Sequence, residues 1–229
     1  MDGQTAVVTG ASRGIGEAVV DGLVAAGAHV VACARDPDDL DGLVERHGDA
    51  ATPVRADVRD EFDVERLVET ASRTGDGAGI DLVVANAGVY HGDPGETPVQ
   101  DEAYSAFDDH LRTNTRGVFA TFREAVPHLN EDARLLVPTG SIARDAMPGI
   151  GSYAVSKAAA EAVTRAFAAD TTYVAGCVDP GQVETELSGP GGRDPSEVAP
   201  MFVWAATDCP AEDIDGAVVG LREWKQATR

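Results

Sequence analysis

Thr5-Ala-Val-Val-Thr9-Gly10-Ala-Ser-Arg-Gly14-Ile-Gly16 sets the architecture of this chain. Its first five residues are apolar or β-branched and predict a short strand. Three glycines follow within seven residues, and then a helical pattern places Ile15, Val19, Leu23 and Val24 on one face. Gly27 closes that helix, and His29-Val-Val-Ala-Cys-Ala34 is a second strand. Strand, glycine turn, helix and strand within about thirty residues form the unit that binds a dinucleotide. The glycines let the backbone approach a pyrophosphate, and the helix N-terminus presents free N–H groups to it.

Outward from this unit, Asp36-Pro37 is expected to start a second helix as N-cap and first residue. Residues 52–55 read as a third strand, running to Asp57-Val58. Asp60 caps a third helix with Phe62, Leu67 and Val68 as its apolar positions. Residues 75–79 read as a loop and 81–85 as a fourth strand, followed by Asn86-Ala87-Gly88. A long helical stretch over 101–127 contains Asn114. Residues 134–137 are a fifth strand that ends near Ser141. A helix runs from Tyr153 to about Ala168, and a sixth strand over 172–177 is ended by Pro180-Gly181. A helix over 196–206 and a strand over 217–221 close the chain. The alternation, with apolar central strands, predicts an α/β fold: a Rossmann-type doubly wound parallel sheet with helices on both faces, one domain over 1–229. Ligands in such sheets bind beyond the carboxyl ends of the strands. Gly10 to Gly16, Arg35, Asp57, Asn86, Ser141 and Pro180-Gly181 all fall there, each after a different strand.

Tyr153 and Lys157 are one helical turn apart on one face. An ammonium fixed near a phenol favours the phenolate, and such a tyrosine can exchange a proton with a substrate oxygen. Lysine is otherwise nearly absent: of eighteen basic residues only Lys157 and Lys225 are lysines.

The 229 residues carry a formal charge of −21, spread along the chain. That excludes nucleic acid and anionic membranes as partners, since both require basic patches. No apolar run reaches the ~20 residues of a membrane span. The N-terminus leads at once into the first strand with no signal peptide, so the protein is expected to be cytoplasmic. Acidic dispersion with little lysine resembles proteins of salt-loving microbes. Cys33, Cys177 and Cys209 have no metal spacing, and the two in apolar runs, Cys33 and Cys177, are expected in the core. The five histidines show no ligand spacing and are expected at the surface or its boundary, so no metal is implied.

With these positions in order, the chain resembles the short-chain dehydrogenase/reductase family along nearly its whole length. The family's Thr-Gly-x3-Gly-x-Gly matches Thr9 to Gly16, including Ser12, Arg13 and Ile15. Its adenine-side Asp-Val pair matches Asp57-Val58. Its Asn-Asn-Ala-Gly matches Ala85-Asn86-Ala87-Gly88, with the first Asn replaced. Its Pro-Gly-x3-Thr, which touches the nicotinamide carboxamide, matches Pro180, Gly181, Val183 and Thr185. Its four catalytic residues fall on Asn114, Ser141, Tyr153 and Lys157. The resemblance implies that Tyr153 is the acid–base group, that Lys157 lowers its pKa and holds the nicotinamide ribose, and that Ser141 bonds the substrate oxygen. It implies further that Asn114 interrupts its helix and holds a water, and that the protein forms a homodimer or homotetramer through its fourth and fifth helices.

Departures from the family pattern are expected to matter. Ser141 stands twelve residues before Tyr153, one fewer than expected. Pro200 is expected to kink the last long helix. The substrate loop, 186–194, is shortened and lacks an apolar run, so an open substrate site is expected. NAD-preferring members place an acidic residue at the end of the second strand. Here Ala34 and Arg35 stand there, and Arg13 adds a second cation, which implies that NADP(H) is preferred while NAD(H) is possible. The reading is an oxidoreductase acting on the carbonyl/alcohol pair of a small or medium metabolite. An epimerase, a dehydratase or a non-catalytic NADP-sensing protein would share the nucleotide motifs, but the intact four residues favour catalysis.

At −21 the folded chain repels itself, and the Debye length shrinks to roughly 3 Å only near 1 M salt. The melting temperature is expected to rise steeply from dilute buffer to molar KCl. A melting temperature flat across that range removes the halophile reading.

Overall fold

The computed structural model describes residues 1–75 and 78–229. Seven parallel strands form a sheet in the order β3-β2-β1-β4-β5-β6-β7. They are β1 Thr5–Thr9, β2 His29–Ala34, β3 Ala51–Arg55, β4 Ile80–Val84, β5 Leu129–Pro138, β6 Val174–Asp179 and β7 Val218–Gly220. The chain winds outward from β1 to β3, returns to β4 beside β1, and winds the other way. This reversal leaves a crevice at the carboxyl ends of β1 and β4.

Side chains alternate across each strand, and both sheet faces are buried. Val8, Val30 and Leu82 pack with Val19 and Leu23 of α1 (Gly14–Ala25) and with Met201 and Phe202 of α7 (Pro195–Thr207). On the other face Val7, Val31, Val83 and Leu135 meet Leu67 of α3 (Glu61–Ala71), Phe122 of α5 (Gly117–Ala125) and Ala160 of α6 (Ser152–Asp170). Each fully buried Leu or Phe here contributes roughly 1.5–3 kcal/mol. Cys33 and Cys177 are core residues, as expected, and Cys209 is buried with them.

Several expectations are corrected. Asp36 caps a single 3₁₀ turn over Pro37–Leu40, and α2 proper is Asp41–His47. The helix expected over 101–127 is three pieces: α4 Tyr104–His110, a π-helical turn over Leu111–Arg116 that contains Asn114, and α5. Phe62 is 72% exposed, because it lies in the first turn of α3 on the side away from Leu67. Pro200 lies within α7, which is helical on both sides of it; the ring faces outward, where solvent can serve the freed carbonyl. β5 begins earlier than expected, at Leu129, and its pairing with β4 takes an irregular step between Ile80 and Leu82 before the expected residues from Arg134 onward. Two short helices, α8 Ala211–Ile214 and α9 Leu221–Ala227, flank β7. In the loop read over 75–79, residues 76 and 77 lie outside the described residues.

Candidate active site

The glycine turn is shaped by what it must approach. Gly10 has φ +64°, and a Cβ on it would lie 2.7 Å from Ala87 Cα. A Cβ on Gly16 would lie 2.1 Å from the Gly10 carbonyl oxygen and 2.4 Å from Asn86 Nδ2. The close approach is enforced by Asn86, whose Nδ2 donates to the carbonyls of Thr9 and Gly10 at 3.0 and 2.9 Å. In return the Ala87 N–H donates to Thr9 Oγ1 at 3.0 Å. No side chain caps α1, so its first N–H groups are left for an anion.

A cleft of about 1380 Å³ opens above this turn. The structure brings nearly every expected site residue to its wall: Gly10, Ser12, Arg13, Gly14 and Ile15; Arg35, Asp57 and Val58; Asn86, Ala87 and Gly88; Asn114, Ser141, Tyr153 and Lys157; Pro180, Gly181, Val183 and Thr185. Gly16 does not line the cleft but sits behind Gly10.

Tyr153 is packed against the ring of Tyr90 at 4.9 Å and that of His110 at 6.0 Å. Burial pushes its phenol up to about 12, with Tyr90 a smaller cause. Lys157 Nζ donates to the Pro138 carbonyl at 2.6 Å, and burial lowers its pKa to about 8 against Cys177, Glu161 and Asp179, which raise it. Burial thus acts against the phenolate that the Lys157 ammonium is expected to favour.

Asn114 is 3% exposed and binds the backbone after β4 on both sides. Its Oδ1 accepts from the Val89 N–H at 2.8 Å, and its Nδ2 donates to the Val89 carbonyl and to Ser156 Oγ, both at 2.9 Å. Both carboxamide N–H groups are thus committed to protein, so the water expected there has only the Oδ1 side of this group to bond. Ser141 opens a 3₁₀ turn over Ser141–Ala143 at the exposed wall of the cleft.

His110 corrects the expectation of surface histidines, because it is fully buried. Its Nε2 accepts from the His91 N–H at 2.9 Å, so the proton is on Nδ1, 2.7 Å from Ser152 Oγ. Burial lowers its pKa and keeps it neutral. Glu102 Oε2 accepts from the Ser152 N–H at 2.8 Å and so caps α6, where Gly151 has no side chain to do so. Glu102 and His110 were missed in the sequence, since their partner Ser152 is forty to fifty residues away.

The cations have specific partners. Arg59 clasps Asp57 with three bonds of 2.7–3.0 Å and reaches Asp109 at 3.0 Å, holding the Asp57 carboxyl below its usual range. Arg13 pairs with Glu186 at 2.8 Å across the cleft mouth, both side chains being largely exposed. Arg35 is exposed and joins no ion pair among the described residues. The loop after β6 is a compact fold-back: the Glu184 N–H donates to the Arg193 carbonyl and the Arg193 N–H to the Gln182 carbonyl.

The short chain dehydrogenase family model matches residues 4–195. Over 203 residues the chain is 31% identical to "NADPH-dependent aldehyde reductase-like protein, chloroplastic" of Arabidopsis thaliana, covering 81% of this chain and 74% of that protein. Its fold is similar to 3-ketoacyl-(acyl-carrier-protein) reductase from Brucella melitensis complexed with NADH, with TM-score 0.86, 26% identity, and 96% and 97% of the two chains covered. It is also similar to a blue fluorescent protein from a metagenomic library in complex with NADPH, with TM-score 0.84, 25% identity and 96% of each chain covered.

A methyl group at Gly16 has no room between the Gly10 carbonyl and Asn86. Gly16→Ala is expected to weaken nicotinamide cofactor binding by about five- to 150-fold, the effect of an overpacking strain of ~1–3 kcal/mol. Fluorescence titration with the reduced cofactor, alongside a thermal melt, checks this. Unchanged affinity would show that the turn is not the cofactor cradle.

Proposed function

This chain belongs to the short chain dehydrogenase family, and from that premise we propose that it interconverts a carbonyl and an alcohol of a small or medium metabolite, prefers NADP(H), and uses Tyr153 as its acid–base group. The observation that carries the proposal is the convergence of the glycine turn, Ser141, Tyr153 and Lys157 on one cleft.

The cleft fits a dinucleotide. The turn is kept free of side chains at Gly10, Gly14 and Gly16, and the α1 N-terminus has N–H groups to spare for a pyrophosphate. Asp57 and Val58 would border the adenine, and Lys157 with Tyr153 would hold the nicotinamide ribose. Pro180, Gly181, Val183 and Thr185 would face the nicotinamide. When bound, the nicotinamide supplies or accepts the hydride.

The chain's own part is proton control and orientation. A phenol with a pKa near 12 is a proton donor at neutral pH and suits carbonyl reduction. Tyr153 would give its proton to the substrate oxygen as negative charge develops there, and Ser141 would donate a second hydrogen bond to that oxygen. Lys157, carrying its proton below pH of about 8, would offset the charge left on Tyr153. Asn114 fixes Ser156 and so the register of the helix that carries both groups.

Arg35, which follows β2 and joins no ion pair among the described residues, supports recognition of a 2′-phosphate. The exposed Arg13–Glu186 pair is worth at most about 1 kcal/mol, so a phosphate dianion can take Arg13 from Glu186. Phe119 on α5 and Val155 on α6, 44% and 46% exposed, support assembly of the chain through those helices, the fourth and fifth expected from the sequence.

Catalytic efficiency is expected to be higher with NADPH than with NADH, and Ala34→Asp with Arg35→Ala is expected to reverse the order. Equal efficiency in the unaltered protein would count against the preference. Tyr153→Phe is expected to lower turnover by 10²–10⁴-fold, as for other acid–base groups, while cofactor still binds. Retention of more than about a tenth of the activity would mean another proton donor.

A further inference from the structure

The loop from Ser141 to Tyr153 is pinned near its end, where the Gly149 carbonyl accepts from the Gly95 and Thr97 N–H groups at 3.0 Å each, and among the described residues the backbone of 141–145 bonds only within its own turn. Among the described residues, Arg144 is the one member of 141–150 whose side chain makes a hydrogen bond or ion pair. Its two terminal nitrogens diverge. One donates to Glu161 Oε1 and the other to Asp179 Oδ2, each at 2.5 Å. Glu161 is on α6, one turn beyond Lys157, and its side chain is 4% exposed. It accepts also from Thr139 Oγ1 at 2.7 Å. Asp179 ends β6, and its Oδ1 accepts from the Gly181 N–H at 3.0 Å. The Arg144 and Asp145 N–H groups in turn donate to the Ser141 carbonyl, at 2.9 and 2.7 Å.

We propose that Arg144 is the positioning residue of this site, a forked tether that fixes the Ser141 turn against both the Lys157 helix and the Pro180-Gly181 turn. A guanidinium suits the task because its donors are rigid and diverge, and a single ammonium cannot span both carboxylates. A carboxylate as buried as Glu161 requires such a partner. Arg144 does not line the cleft, so it acts through Ser141 and not on substrate. The tether draws Ser141 toward the strand ends. The proposal rests on the assignment of Ser141, Tyr153 and Lys157 as the reacting groups.

Two measurements test it. Hydrogen exchange reads the tether alone: in Arg144→Gln the amides of Arg144, Asp145 and Gly181 are expected to exchange at least about tenfold faster than in the parent. Steady-state kinetics read its consequence. Arg144→Gln is expected to lower kcat at least about tenfold with the dissociation constant for NADPH within about threefold, and Arg144→Lys to recover part of kcat. Asp179→Asn, which leaves the buried Glu161 pair intact, is expected to lie between, and it serves if Arg144→Gln does not fold. Unchanged exchange, a kcat within about twofold of the parent, or equal loss of kcat and cofactor affinity in both Arg144→Gln and Asp179→Asn would overturn the proposal. A parent inactive on every carbonyl but deprotected by Arg144→Gln would overturn the functional assignment and leave the tether standing.

Discussion

The carboxamide of Asn86 is the interaction on which the cleft depends. Strand ends leave carbonyls that sheet pairing no longer serves, and these must find donors. At the end of β1 the donor is Asn86 Nδ2, which takes the carbonyls of Thr9 and Gly10 together. That choice dictates the sequence around it. The turn must pass close beneath the Asn86 side chain, so Gly16 cannot carry a Cβ and Gly10 must adopt a left-handed conformation. Thr9 then serves the Ala87 N–H, and the two central strands end locked to each other. The backbone surface of the cradle follows from this lock.

Much of the architecture was legible because it is periodic or punctuated. Apolar strands, the cap at Asp60 and the glycine turn each leave a local signature, and these elements lie where they were expected. Tyr153 and Lys157 were legible through their spacing on one helix. The rest depends on partners remote in sequence. His110 looks like a surface histidine until Ser152 and Glu102 come to it. The upward push on the Tyr153 phenol could not be read from its neighbour Lys157, because burial is a property of the whole fold. The break at Asn114 is implied by the family resemblance and is there as a π-helical turn, but the apolar pattern itself does not reveal it. One extra residue in a helix does not disturb a pattern of apolar positions enough to be seen in it.

The electrostatics of this chain are organised by scarcity. With thirty-nine acidic and eighteen basic residues, most cations near the cleft are committed to carboxylates. Arg59 is divided between Asp57 and Asp109, and Arg144 between Glu161 and Asp179. Each of these forks is partly buried and joins segments far apart in the chain, where a pair is screened less by salt than on the open surface. The cations that remain accessible, Arg13 and Arg35, stand on the wall of the cleft. Within a strongly negative protein these two place positive charge at the binding site, which favours entry of anionic cofactors there.

The π-helical turn over Leu111–Arg116 has a consequence of phase. Each residue advances an α-helix by about 100°, so the extra residue sets α4 about that far out of step with α5. The offset lets α5 bury Phe122 against the sheet while α4 turns His110 inward to the start of α6. A regular helix could satisfy one of these faces but not both. Removing any one residue from the turn would therefore leave each helix intact and misalign the pair. His110 would rotate away from Ser152 and the inner end of the Tyr153 helix would lose that contact. A single-residue deletion would act here as a rotation, which no substitution at the same positions can reproduce.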